Sequence, residues 1–184
     1  ETGTVTVASF DAPLQTLGLE NQALVVLASG FLNPANNSNG EAFGLYVALP
    51  SGGDMVALPT SMARAQIIHN SADQAAEVVN VFVDGKMLVH DLKFRTATLF
   101  LEVPAGVETE VAIVPSGKFS AEDAVATFTR TFKSDYDHIA IINGIVSPSG
   151  YSPAAPLDLF VFENGQLPSK ERGNTDVLVF HGAT

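Results

Sequence analysis

Between residues 64 and 106 the chain reads RAQIIHNSADQAAEVVNVFVDGKMLVHDLKFRTATLFLEVPAG, and this stretch limits the fold more tightly than any other. Short runs of apolar and β-branched residues alternate with turn residues. The first run ends at His69 and gives way to an Asn-Ser-Ala-Asp loop, and the second, VVNVFV over 78–83, stops at Asp84-Gly85. A third run follows directly, and a fourth is closed by Pro104-Ala105-Gly106. Asp-Gly between apolar runs marks a tight hairpin, because a two-residue turn needs positive φ and glycine adopts it at no steric cost. Four strands joined as a β-meander are expected.

The rest of the chain continues the pattern. Residues 4–10 (TVTVASF) alternate as a strand, and 11–22, with Pro13 and Gly18, form a connection. The continuous apolar run ALVVLASG over 23–30 reads as a strand buried on both faces in the middle of a sandwich. A polar loop over 33–40 includes Asn36-Asn37-Ser38, which fits a glycosylation acceptor and is read here as a loop tip. Further strands are expected over 43–49, 107–114, 124–132, 138–144, 157–162 and 176–180, the last ending on His181. Ser120 opens a capped turn that β-branched residues cut short. With no amphipathic crossover helix, a parallel α/β fold is excluded, and the expected class is an all-β antiparallel β-sandwich of immunoglobulin-like type.

An internal repeat is visible without any outside sequence. ALVVLASGFLNP (23–34) aligns with DHIAIINGIVSP (137–148), and the same shift of 114 residues lays FGLYV (43–47) on LDLFV (157–161). After a slip of two residues, AQIIHNSA (65–72) falls on VLVFHGAT (177–184), His69 on His181. On this phase residues 1–62 are the second half of one β-sandwich repeat, 63–175 a complete repeat, and 176–184 the opening strand of a further one. A half repeat leaves unpaired edges and an uncovered apolar face. The surplus strand, Asp176, Val177, Leu178, Val179, Phe180 and His181, is the expected cover. It would act within the chain or, by strand complementation, in the next molecule. Strand exchange of that kind is head-to-tail and does not close, so it would build a homopolymeric filament.

His69, Ser71 and Asp73 in His-x-Ser-x-Asp, the V-x-V-F-V-D-G strand and the final Pro-Ala-Gly together resemble the DUF4397 family of bacterial secreted and cell-surface proteins. The resemblance covers 64–147 and reaches the flanks only through the repeat. It implies β-sandwich repeats and an extracellular or cell-surface setting, and it brings no activity with it.

Chemistry-bearing residues are few. Twenty acids against nine Lys plus Arg give a net charge of −11, with no basic cluster, so nucleic acid is not an expected partner. The absence of cysteine removes disulfides, thiolate metal sites and Cys nucleophiles together. No run approaches the roughly 18 apolar residues of a membrane helix, so no membrane insertion is expected, and Glu1 reads as the start of a processed or excised segment. His69 and His181 share one repeat position and are read as structural, as are Asp84 and Gly85 in their turn. His90 and Asp91, adjacent on a strand, should point to opposite faces and make a poor chelate. Ser71, His69 and Asp73 lie in one short loop, too close in sequence to converge as a hydrolase triad, and an Asx/ST turn accounts for them. Asp73, Glu77, Asp84 and Asp91 lack a calcium-loop pattern. With no Trp and only Tyr46, Tyr136 and Tyr151, sugar platforms are scarce, Tyr151 being the one loop candidate. No catalytic residue, metal ligand or cofactor is assigned. The expected function is a non-enzymatic structural or adhesive surface component that self-associates. The alternative is a carbohydrate- or Ca²⁺-binding module acting from loops 70–77 and 33–40.

Overall fold

The computed structural model of the chain describes residues 6–165 and 171–183. Its strands are β1 (Val25–Ser29), β2 (Gly44–Ala48), β3 (Val56–Ala57), β4 (Met62–His69), β5 (Val78–Val83), β6 (Lys86–Lys93), β7 (Thr96–Pro104), β8 (Glu108–Pro115), β9 (Ala126–Thr131), β10 (Asp137–Asn143) and β11 (Asp158–Gly165). Among the described residues there is no α-helix, only three single turns of 3₁₀ helix. The chain forms two compact units, one from Ala8 to Ser61 and one built from Met62 onward.

The larger unit is a β-sandwich of two four-stranded sheets, ordered β11-β10-β4-β7 and β6-β5-β8-β9. Alternation decides which side chains meet between them. On β4, Ala63, Ala65, Ile67 and His69 turn inward and Arg64, Gln66 and Ile68 outward. Val79, Val81, Val111, Ile113, Ala140 and Ile142 fill the space from the other strands. Phe82, Ala112 and Val114 lie on the opposite face of their sheet, where Ala121 and Ala124 of the Ser120-capped turn cover them. That is why β5 is buried along nearly its whole length. The Asp84-Gly85 turn has positive φ at both residues, 47° and 74°, as a tight hairpin between right-twisted strands requires. The Asp84 carboxylate accepts from the Glu110 N–H at 2.9 Å and so ties the turn to β8.

The expected β-meander is not what forms. β5 and β6 pair as a hairpin, but β4 and β7 belong to the opposite sheet and pair with each other. The chain changes sheet at Phe94-Arg95, where Arg95 takes φ 61° and its N–H donates back to the His69 carbonyl. β4 also pairs in parallel with β10, Arg64 opposite Asp137 through His69 opposite Ile142. A parallel pair needs a long crossover, and here the second sheet supplies it in place of a helix.

The smaller unit carries the sheet β1-β2-β3 over a core of Leu19, Val47 and Leu58 with Phe10, Leu24 and Leu45 packed against it. Of the strand expected over 4–10, residues 4 and 5 lie outside the described residues, and Phe10 makes only an isolated bridge to Thr60. The run 23–30 departs furthest from expectation. It forms β1, but at the edge of its sheet and exposed on both faces, with Val25 59 % and Val26 55 % accessible.

Two hairpins, one in each unit, have the same geometry. β1 pairs with β2 so that Val25 faces Ala48 and Ser29 faces Gly44, and β10 pairs with β11 so that Ile139 faces Phe162 and Asn143 faces Asp158. Every position is displaced by 114 residues. Beyond each first strand a glycine with positive φ, Gly30 at 90° and Gly144 at 115°, lies against the returning backbone. The next residue bridges in parallel to that segment, Phe31 to Ala42 and Ile145 to Pro156.

The last expected strand, over 176–180, is not part of any ladder among the described residues. Among the described residues, 174–183 belong to no strand, and Leu178 and Phe180 border a groove of about 410 Å³ on the outer face of the β4-containing sheet, beside Ile68, Ile139 and Ile141. The Phe180 ring lies 5.1 Å from that of Phe160 and 6.0 Å from that of Phe162. Within the polar stretch 163–174, residues 166–170 lie outside the described residues, as does Thr184.

Candidate functional site

The His69–Asp73 loop closes one end of the sandwich and contains the larger unit's densest set of buried polar groups. His69 is fully buried at the end of β4. Its Nε2–H donates to the Ala76 carbonyl at 2.6 Å, and its Nδ1 accepts from the Ser71 N–H at 3.3 Å, a pattern that fits the neutral ring. Burial pulls its pKa below 6.5, although the Ala76 bond works the other way. Ser71 donates its hydroxyl to the Gly144 carbonyl at 2.7 Å, so it does not point toward the His69 ring as a nucleophile. These residues make no catalytic triad.

Asp73 organises this end. Oδ1 accepts from the Ala75 N–H (2.9 Å), the Ser147 hydroxyl (2.7 Å) and the Tyr151 hydroxyl (3.1 Å), and Oδ2 accepts from the Val146 and Ser147 N–H groups at 2.8 and 2.7 Å. Burial alone would raise its pKa. The donors, led by the Ser147 hydroxyl and N–H, outweigh that and hold the carboxyl well below the usual carboxylate range. The Asx turn expected at Asp73 is present, and the carboxylate also fastens loop 70–77 to loop 145–151. Its second role escaped the sequence reading, because an Asx turn carries no sign of which distant N–H groups the other oxygen will reach. Tyr151, the candidate sugar contact, has its hydroxyl donating to Asp73 and accepting from the Gln74 N–H at 3.0 Å.

The remaining candidates are dispersed. His90 and Asp91 do not face opposite ways: their side chains approach to 3.3 Å. β6 has a bulge there, Asp91 taking φ 52°, because the buried Asn80 side chain accepts the Asp91 N–H and donates to the Lys118 carbonyl. Strict alternation fails across a bulge. The Asp91 carboxylate accepts from Ser116, the His90 ring stacks on Phe119, and Asp84 is occupied at its turn, so the four meander acids do not converge. Among the described residues no three His, Asp or Glu side chains are grouped to hold a metal ion. His138 is buried beside Phe132, with Nε2 on the Lys133 carbonyl and Nδ1 without a hydrogen-bond partner.

A groove of about 500 Å³ runs over this end, lined by Asn70, Arg95, Asn143, Phe180, His181 and Gly182 among others. The sequence set His69 and His181 in one repeat position, yet the first is buried and the second lies on this open groove. In the smaller unit the feature that stands out is the edge of β1, a backbone edge unpaired among the described residues and flanked by exposed Val25, Val26, Leu27, Phe31 and Leu32. No family model matches the chain, and no curated protein is significantly similar to it.

Proposed function

We propose that this protein is a non-enzymatic structural or adhesive component, extracellular or at a bacterial cell surface, built from β-sandwich repeats and associating with copies of itself. The observation that carries this reading is β1. Its sequence is that of a sheet centre and its position is a fully exposed edge, and a long apolar edge of that kind is a template for another strand. Further support comes from the shared register of the β1–β2 and β10–β11 hairpins, which fits tandem repeats of one module. The use of Ser71 and Asp73 in loop-to-loop fastening fits a mechanical role. The extracellular setting rests on the DUF4397 resemblance. Light scattering across a concentration series tests the reading: assemblies larger than one chain are expected, and a single-chain mass throughout would refute it.

The second reading, ligand binding from the sandwich end, is favoured by the polar-lined groove beside Asn70 and Arg95. A carbohydrate or Ca²⁺ there would raise the melting temperature, and for Ca²⁺ a chelator would reverse the rise.

A further inference from the structure

Two parts of this chain are complementary, and neither has a ladder partner among the described residues. One is the free edge of β1. The other is the segment 177–182, whose Val177 and Val179 are 75 % and 84 % exposed. Resting on the self-associating reading above, we infer that β1 of one molecule accepts residues 177–182 of a second copy as a parallel strand, in the register that β4 holds beside β10.

The register follows from a pairing already present in the molecule. β10 is flanked by β11 on one side and β4 on the other, whereas β1, displaced from β10 by 114 residues, has β2 and, among the described residues, no second neighbour. The segment 176–181 is displaced from 64–69 by 112 residues in the sequence alignment. Carrying the Arg64–Asp137 and His69–Ile142 pairs across sets Asp176 beside Ala23, Leu178 beside Val25 and His181 beside Ala28. Beyond β4 the Asn70 N–H donates to the Ile142 carbonyl at 2.8 Å, so the counterpart Gly182 N–H donates to Ala28. By the same alternation Leu178 and Phe180 turn their N–H groups toward β1.

Side-chain directions agree with this placement. Ala65 and Ile67 of β4 are buried between the sheets, and their counterparts are Val177 and Val179. Val26 is the counterpart of Ala140, which is 3 % exposed beside β4. Docking therefore removes Val26, Val177 and Val179, all now exposed, from water. One departure is at the Asp137 position, where β1 has Ala23 and the Arg64–Asp137 ion pair is not reproduced. Each molecule offers one edge and one strand at different places, so the contact is heterologous and propagates as an open chain.

The chain has no cysteine, which makes site-directed disulfides an unambiguous test. A Val25→Cys protein is mixed with a Leu178→Cys protein and oxidised mildly. The expected result is a covalent dimer from this pair and none from Ser29→Cys with Leu178→Cys, whose Cα atoms would lie about 13 Å apart, beyond disulfide reach. Leu178→Pro removes a ladder N–H at a position that has no backbone partner among the described residues, and it should return the assemblies to single-chain mass. Equal cross-linking of both pairs overturns the register. A covalently closed monomer from the Val25→Cys, Leu178→Cys double variant overturns exchange between molecules. Assemblies that survive Leu178→Pro overturn this interface while leaving self-association standing, and a monomer at every concentration overturns both.

Discussion

Asp73→Asn removes the charge that fastens loop 70–77 to loop 145–151 while conserving side-chain volume. The carboxylate accepts five hydrogen bonds, three of them from backbone N–H groups that cannot turn away. If the Asn side-chain oxygen faces the Val146 and Ser147 amides, its NH₂ group confronts the Ala75 N–H; in the opposite orientation it confronts the other two. Hydrogen bonds to a charged group contribute about 1.5–3 kcal/mol each and neutral ones about half that, and bonds sharing one acceptor are not additive. A net loss of about 3 kcal/mol at pH 7 is expected, or about 10 °C in melting temperature for a chain of this size. Urea unfolding followed by far-UV circular dichroism measures it.

The pH dependence is a second arm of the same experiment. Because the folded-state pKa of Asp73 is depressed below 3.8, its contribution is fully present above 3.8 and is lost as pH falls through the folded value. The gap between wild type and Asp73→Asn should therefore stay constant from pH 7 to about 4.5 and shrink only in stronger acid. A gap below about 1 kcal/mol at pH 7, or one that closes between pH 7 and 5, would refute the assignment of Asp73 as a charged fastener.

Three further outcomes are expected. His69 is buried neutral, so its stabilisation is present above 6.5 and is lost as pH falls through 6.5 toward its lowered folded value; wild type should lose up to about 1.4 kcal/mol per pH unit there, and His69→Gln, less stable at pH 7.5, should show a flatter dependence by the same unfolding assay. Gly144→Ala would set its Cβ 2.3 Å from the Pro156 carbonyl oxygen at φ 115°, and thermal melts should show a loss of more than about 2 kcal/mol, whereas Gly117→Ala, at φ 81° in open space, should cost about 1 kcal/mol. Asn80→Ala removes the buried amide that bridges the Asp91 N–H and the Lys118 carbonyl and should cost about 2 kcal/mol by urea titration.

Some local signals in the sequence, each carried by one element, were reliable. β5 starts and stops where VVNVFV does, and Asp84-Gly85 makes the turn its residues require. The capped turn at Ser120 is also where the sequence placed it. Pairing was not legible to the same degree. Nothing in four consecutive strand-like runs states that the chain changes sheets at Arg95, nor that β4 will find β10 across some seventy residues. The bulge at Asp91 was hidden because it depends on a side chain eleven positions away, Asn80. Asp73 showed its Asx turn but not its reach to Val146 and Ser147. At 23–30 the sequence and the fold disagree outright. The run has the composition of a buried strand and β1 lies exposed, and that conflict is what points to a covering strand.

Size-exclusion chromatography with light scattering, run on the protein from low to high concentration, tests the central claim most directly. The account predicts masses that climb with concentration through multiples of one chain. A single-chain mass across the whole series would contradict it.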